Sequence, residues 1–298
     1  MTLLLSHPAS LDHLTPPGHP ERPDRIRAVE QVLGEASFDR LVRETAPEGS
    51  LDQVLLCHYE HYVEELRHIA PSSGLVYLDG DTSMSPGTWE AVMRGVGGAV
   101  AATDAVMAGT HHNAFVAMRP PGHHAETGKP MGFCFFDHAA IAARHAQRKY
   151  GIERAAVVDF DVHHGNGTED ILLNRPGVEF FSVHQHPAYP NTGAANRGRN
   201  CFNYPVAPSA PREHYRATLA RALGDLKNFS PDLIAVSAGF DAYARDPLAQ
   251  GTLLAGDFNW LGRELRALET PFFSLLEGGY SRDLPELIFA YLKGIEGK

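Results

Sequence analysis

The chain is poor in cysteine: 298 residues hold only Cys57, Cys134 and Cys201, with no Cys-x-x-Cys spacing. That excludes a disulfide framework and a cysteine-based zinc site, and it points to a reducing compartment, the cytoplasm. Long hydrophobic runs are lacking as well. No stretch approaches the ~20 apolar residues needed to cross a bilayer. The first residues carry no basic segment and their apolar run stops after Leu3-Leu4-Leu5, so no signal peptide is expected. Positive charge is scarce, with 26 Lys and Arg against 36 Asp and Glu and a net charge of −10. A sequence-independent nucleic-acid binder needs a basic surface, so that role is disfavoured. Neither a repeat nor a low-complexity linker divides the chain, and residues 1–298 are expected to form one domain.

What is present in excess is histidine: 17 residues, three adjacent pairs among them. That directs attention to metal and acid–base chemistry. Hydrophobic residues at 43% and charged residues at 21% suit a globular domain. A chain of this length buries roughly three quarters of its unfolded surface and folds without a staple.

Short apolar runs alternate with helical stretches. Leu3–Leu5, Ala114–Met118, Ala155–Phe160, Val178–Val183, Leu233–Val236 and Phe272–Leu276 are nearly continuous, as strands buried on both faces should be. Helices are expected over Arg22–Leu33, Pro86–Met107, Phe136–Tyr150, Pro211–Phe229, Gly256–Leu268 and Leu284–Lys293. The alternation predicts an α/β fold: a mainly parallel sheet with helices on both faces. The Pro/Gly-rich stretches 14–23 and 119–132 read as loops inside that domain, and long loops in compact domains are usually functional.

Five of these strands run into polar clusters: Arg119 to His124, Asp161 to Thr168, His184, Asp241 and Tyr280. Ligands of parallel sheets bind beyond the carboxyl ends of the strands, so the clusters should converge. Asp159, Asp161 and His163 follow a period of two and would face one side. Two carboxylates and an imidazole held together call for a cation, and a divalent metal is the simplest answer. Gly165 and Gly167 permit a tight turn there. Of His123 and His124, one could contact a reacting group while the other supports it. Asp241 alone would be an ordinary turn aspartate and Tyr280 an ordinary tyrosine; their company makes them candidates. His111-His112 reads as solvent-exposed, His58, His61 and His68 as a surface helix, Glu21 to Arg25 as a salt-bridged helix start, and Cys134 as a small buried hydrophobe near the site.

Six segments carry a resemblance: Gly18-His-Pro-Glu-Arg-Pro, Arg119-Pro-Pro-Gly-His-His, Gly132-Phe-Cys-Phe-Phe, Asp159 to Thr168, Ser237-Ala-Gly-Phe-Asp241 and Glu277-Gly-Gly-Tyr280. In order and spacing the chain resembles the zinc-dependent histone deacetylase family, which includes bacterial deacetylase-like amidohydrolases and acetylpolyamine amidohydrolases. The resemblance implies the arginase–deacetylase fold, one domain around about eight strands. It implies Asp161, His163 and Asp241 as metal ligands with an open coordination position, zinc being first choice and ferrous iron or cobalt possible for so hard a donor set. It makes His124 the general base and acid, His123 its electrostatic neighbour, Asp159 and Asn166 their orienting partners, and Tyr280 the oxyanion donor. Phe133 and Tyr189 would wall an acyl-lysine tunnel, with Gly132 and Gly278 lining it and Asp81 and Leu248 at its rim. Structural potassium is implied at Asp159, Asp161, His163, Ser182 and Val183, and a second ion at Leu172, Arg175, Val178 and Asn200.

Four departures from the family pattern stand out. Asn166 stands where many members have aspartate, so His124 should be less basic. Tyr189 replaces the usual phenylalanine. Leu248 is neutral where polyamine-specific members can carry glutamate, and the insertion by which bacterial acetylpolyamine enzymes pair is missing. Both points favour an acyl-lysine protein or peptide over a small acylated polyamine. The expected reaction is amide hydrolysis. Removal of longer acyl groups is an alternative within it. An arginase-like binuclear manganese hydrolase would need more metal-facing carboxylates. A non-catalytic acyl-lysine reader would be expected to lack a base or an oxyanion donor. No nucleic-acid or membrane partner is expected, and the oligomeric state is not legible.

Overall fold

Strands buried on both faces alternate with amphipathic helices throughout the chain, and the computed structural model describes residues 1–38 and 40–298. In chain order the elements are β1 (Thr2–Ser6), α1 (Pro23–Leu33), β2 (Val42–Thr45), α2 (Leu51–Val54), α3 (Glu60–Ile69), β3 (Val76–Tyr77), β4 (Ser83–Met84), α4 (Thr88–Met107), β5 (Asn113–Val116), α5 (His138–Tyr150), β6 (Ala155–Asp159), α6 (Asn166–Leu172), β7 (Val178–Gln185), β8 (Cys201–Val206), α7 (Arg212–Phe229), β9 (Leu233–Ala238), α8 (Ala255–Ala267), β10 (Phe272–Leu276) and α9 (Leu284–Ile295). Eight strands form one sheet in the order β2-β1-β5-β10-β9-β6-β7-β8, and every neighbouring pair in it is parallel. β3 and β4 make a separate antiparallel ladder.

The period of two along each strand divides the core. Leu4, Phe115, Ala156, Val158, Ile234 and Val236 pack on one face under α1, α7, α8 and α9. Leu3, Leu5, Ala114, Val116, Val157 and Ala235 pack on the other under α3, α4 and α5. Helix starts follow local chemistry. α5 begins at His138, two residues later than the apolar pattern suggests, because Asp137 Oδ1 accepts from Ala140 N–H at 2.8 Å and caps the helix. It ends at Gly151, whose φ of 65° is left-handed.

Besides the small β3–β4 ladder, two strands lie outside the expected set, and both are edges of the eight-stranded sheet. β2 is Val-Arg-Glu-Thr, with three exposed residues. β8 carries Pro205, which an edge strand tolerates because its N–H side needs no partner. α6 is also unexpected: Gly165 and Gly167 open a helix where the sequence suggested only a turn. A side chain at Gly167 would strike the backbone of Ala125.

The strand order reverses direction in the middle of the sheet. From β5 the chain skips two places to β6, and β9 and β10 later fill the gap. The carboxyl ends of β5, β6, β9 and β10 therefore open on one crevice, the usual ligand position in such sheets. None of the helices is long and apolar enough to cross a membrane, among the described residues.

His61 and His68 lie on the exposed face of α3, as expected, but His58 does not. It precedes the helix and is buried: its Nδ1 donates to Glu126 O at 3.1 Å and its Nε2 accepts from Asp137 N–H at 2.9 Å. Burial pushes His58 down to about 4. Burial first, and then the neighbouring His58, pushes His138 to about 4 as well. At these two sites the folded chain binds fewer protons than the unfolded one between pH 4 and 6.5. Their contribution to stability should be fully present above pH 6.5 and be lost as the pH drops towards 4, by roughly 3 kcal/mol per histidine. Urea midpoints between pH 7 and 4.5 test this; an unchanged midpoint would contradict it.

Candidate active site

At the carboxyl end of β6 the chain turns sharply, and the turn is held by the side chains it presents. Asp159 Oδ1 accepts from Asp161 N–H at 3.0 Å and Asp161 Oδ1 from His163 N–H at 2.9 Å. Beyond β9, Asp241 Oδ1 accepts from Val162 N–H at 2.8 Å. Beyond β10, Gly278 N–H donates to Asp161 Oδ2 at 2.8 Å. These bonds leave Asp161 Oδ1, Asp241 Oδ2 and His163 Nδ1 facing one another, His163 being 3.1 Å from each carboxylate. The three ligand atoms lie within 4.8 Å of one another, and both aspartates are fully buried.

The electrostatics favour a cation. Burial works against the His163 imidazolium, yet Asp161 and Asp241 raise it to about 10. Burial, then repulsion from Asp161, lifts Asp241 to about 7. Burial also opposes the Asp161 charge, but His123 and His163 hold that carboxylate below its ordinary range. Two carboxylates and an imidazole with one shared proton between them are a donor set that fits a divalent metal. The period-of-two expectation needs one correction. Asp159 does not join this cluster but turns to His123, and Asp241 takes its place.

The two histidines that the sequence left open separate into two pairs. His123 Nδ1 lies 2.9 Å from Asp159 Oδ2, and His124 Nδ1 lies 2.7 Å from Asn166 Oδ1. The rings are 4.0 Å apart. Burial disfavours a charge on His123, but Asp159 and Asp161 raise its pKa well above the usual value. Burial and the neighbouring His123 and His163 push His124 well below it. So the pair contains one cationic and one neutral imidazole. Glu277 Oε2 fixes the backbone beneath them, accepting from Gly122 N–H at 2.7 Å and His123 N–H at 3.3 Å. Gly132, at φ 56°, lies against the His124 ring where any side chain would collide.

Tyr280 follows the Gly278-Gly279 turn. Asp246 Oδ2 accepts from its N–H at 2.7 Å, and the Arg25 guanidinium stacks 4.7 Å from its ring centre. Arg25 also donates to Gly279 O at 2.8 Å and Glu277 O at 2.7 Å, so it holds the whole turn. Burial raises the Tyr280 phenol well above its usual pKa although Arg25 opposes this, which keeps the hydroxyl protonated. Glu21 joins Arg25, at 3.1 Å, to Arg119, which it meets in two bonds of 2.7 and 2.6 Å. The Glu21 to Arg25 segment is therefore a buried three-ion network beside the site as well as a helix start.

Phe133 stands edge-on to Tyr280 at 6.0 Å and to His19 at 4.7 Å. Tyr189 stands edge-on to His124 at 5.2 Å. Asp81 lies at the same mouth: its carbonyl accepts from His19 Nε2 at 3.1 Å, and its neighbour Thr82 receives Phe133 N–H at 3.0 Å. Leu248 is 42% exposed and tied through its N–H to Asp246, the residue that also holds Tyr280. Gly278 is buried against Asp161 and Asp241, where a Cβ would strike both carboxylates. Cys134 is buried beside Gly132, as expected.

The two expected potassium positions differ. Asp159 pairs in register with Ser182, next to Val183. Among the described residues no hydrogen bond ends on the main-chain carbonyls of Asp161 or His163. At the second position the carbonyls of Leu172, Arg175 and Val178 converge on the Asn200 side-chain amide, which donates to Leu172 O at 2.8 Å and Val178 O at 2.9 Å and lies 3.4 Å from Arg175 O. Its Oδ1 accepts from Asn174 N–H at 2.7 Å.

Sequence reasoning passed over the roles of His19, Arg25, Glu126 and Asp246. The carboxylate of Glu126, two residues after His124, accepts from Asn166 Nδ2 at 2.9 Å. Its nearness to the histidine pair was the available signal; for Arg25, far away in the chain, none existed.

Comparison with known proteins agrees with this geometry. The histone deacetylase domain family matches residues 19–293. The histone deacetylase-like amidohydrolase of Pseudomonas aeruginosa is 38% identical, across 89% of this chain and 73% of that protein. A probable deacetylase of Methanothermobacter thermautotrophicus is 35% identical, across 99% of this chain and 91% of that one. The acetylpolyamine amidohydrolase of Mycoplana ramosa is 36% identical, across 73% of this chain and 66% of that one. The crystal structure of the HDA15 HD domain matches with a TM-score of 0.93 at 30% identity, covering the whole of this chain and 91% of that one. With its eight-stranded sheet, its Asp-His-Asp cluster and its paired histidines, the chain belongs to the histone deacetylase family of amide-hydrolysing enzymes.

Proposed function

We propose that the protein hydrolyses the side-chain amide of acyl-lysine in peptides or proteins, acetyl-lysine first. The observation that carries this is His124, with Nδ1 2.7 Å from Asn166 Oδ1 and its ring 6.0 Å from that of His163, beside the Asp161–His163–Asp241 cluster. A divalent metal held by those three residues, zinc by preference and ferrous iron or cobalt as alternatives, would polarise the acyl carbonyl and lower the pKa of a bound water.

The chain's own residues supply the rest. Phe133 and Tyr189 flank the path of an extended acyl chain. His124 keeps its Nδ1–H on Asn166 and takes the water proton on Nε2. Tyr280 donates its hydroxyl to the carbonyl oxygen as that oxygen becomes negative, and the cationic His123 adds a positive field. The water oxygen bonds to the acyl carbon, the C–N bond then breaks, and His124 returns its proton to the departing lysine amine. The products are a carboxylate and a free amine. The inner cluster around Asp159 and Ser182 would hold a structural potassium ion.

Leu248 supports lysine over polyamine, because a neutral rim residue offers no partner to a second ammonium group. The named relative from Mycoplana ramosa supports the second reading, a small acylated polyamine. Three buried, unpaired cysteines are consistent with a cytoplasmic location. Turnover of an acetyl-lysine peptide and of acetylspermidine, measured side by side, tests the proposal. Faster turnover of the peptide is expected; turnover of the polyamine alone would overturn the substrate assignment.

A further inference from the structure

We propose that Glu126 is a positioning residue that fixes the side-chain amide of Asn166 and, through it, the tautomer of His124. The proposal rests on the reading of His124 as the base. An asparagine amide can be turned by 180° with little change of shape, so something must choose which end faces His124. With Oδ1 towards the ring, His124 Nδ1 carries the proton and Nε2 is a free base. With the NH2 group towards the ring, Nδ1 must accept, the proton moves to Nε2, and the base is lost.

The far end of the amide decides. Asn166 Nδ2 lies 2.9 Å from Glu126 Oε1, 3.3 Å from Met131 Sδ and 3.5 Å from His124 O. All three are acceptors, and an ionised carboxylate has no donor to offer. Turning the amide would set Asn166 Oδ1 against the carboxylate. The bond to Glu126 is also the strongest of the three, because its acceptor is charged. Glu126 itself is anchored: its N–H donates to Lys129 O at 3.0 Å, and its carbonyl accepts from His58 Nδ1 at 3.1 Å. An aspartate at position 166 would accept from His124 with either oxygen and need no such guide. The requirement for Glu126 arises because this chain has asparagine there.

The test compares kcat and KM of the metal-loaded variants. Glu126→Ala should lower kcat by about 10- to 100-fold with KM little changed, since one charge-assisted bond selects the orientation. Glu126→Gln retains an acceptor and should stay within about threefold of the parent, as a neutral bond is still a bond. Glu126→Lys presents a donor instead and should be slower than Glu126→Ala. In the double variant Glu126→Ala/Asn166→Asp the loss should vanish relative to Asn166→Asp alone. An unchanged kcat in Glu126→Ala, an equal loss in Glu126→Gln, or the same loss in the aspartate background would overturn the proposal. Nitrogen-15 NMR of the histidines separates it from the functional reading. His124 should be protonated at Nδ1 in the parent and at Nε2 to a substantial degree in Glu126→Ala, whatever the substrate proves to be. An unchanged tautomer would overturn it.

Discussion

Tyr280→Phe is expected to reduce kcat by about 10²–10³ while leaving bound metal unchanged. The substitution removes one oxygen and keeps the ring, so the stack on Arg25 and the edge contact with Phe133 persist. What is lost is a donor aimed at charge that develops only in the transition state, worth about 3–4 kcal/mol in sites of this kind. KM should therefore move little. The phenol is held protonated by burial, so no alkaline limb of the pH profile near the usual tyrosine range should come from it. Single-turnover rates on an acetyl-lysine peptide, with metal content measured on the same sample, check the result. A variant with more than about a tenth of the parent rate would remove Tyr280 from the oxyanion role.

His163→Ala should lose both metal and activity. The imidazole is the only nitrogen donor of the cluster and the only cation between Asp161 and Asp241. Without it the two buried carboxylates face each other with only His123, 3.8 Å from Asp161, as counter-charge, and Asp241 is driven to take up a proton. Breaking a buried ion pair by removing one partner costs about 3–5 kcal/mol, so the metal-free variant should also unfold at a lower temperature than the metal-free parent. Elemental analysis should find metal well below one equivalent, and turnover should fall to background. Retention of a full equivalent of metal would show that the ligands lie elsewhere.

Much of this was legible because the strands are buried on both faces and leave continuous apolar runs. The runs ending at Met118, Phe160, Val236 and Leu276 each lead straight into a functional cluster, so the position of the site follows from the parallel topology. The edges were not legible. β2 has no apolar run and β8 carries a proline, since edge strands bury less and bond on one side only. Direction was the other limit. A period of two places Asp159, Asp161 and His163 on one side, but a turn breaks that period after Asp159 and sends its carboxylate to His123. Contacts between distant segments, such as Arg25 with the Gly279 turn or Asn200 with Leu172, leave no pattern in one sequence. Gly278 illustrates the same point: its role is set by the two carboxylates packed against it rather than by its neighbours in the chain.

The most direct measurement is a metal titration. The protein is stripped with a chelator, zinc is added in known fractions of an equivalent, and hydrolysis of an acetyl-lysine peptide is followed at each step. The one Asp-His-Asp cluster among the described residues predicts no turnover in the stripped protein and a rise that levels off at one equivalent. Full turnover without metal, or a plateau reached only at two equivalents, would contradict a single-metal amide hydrolase.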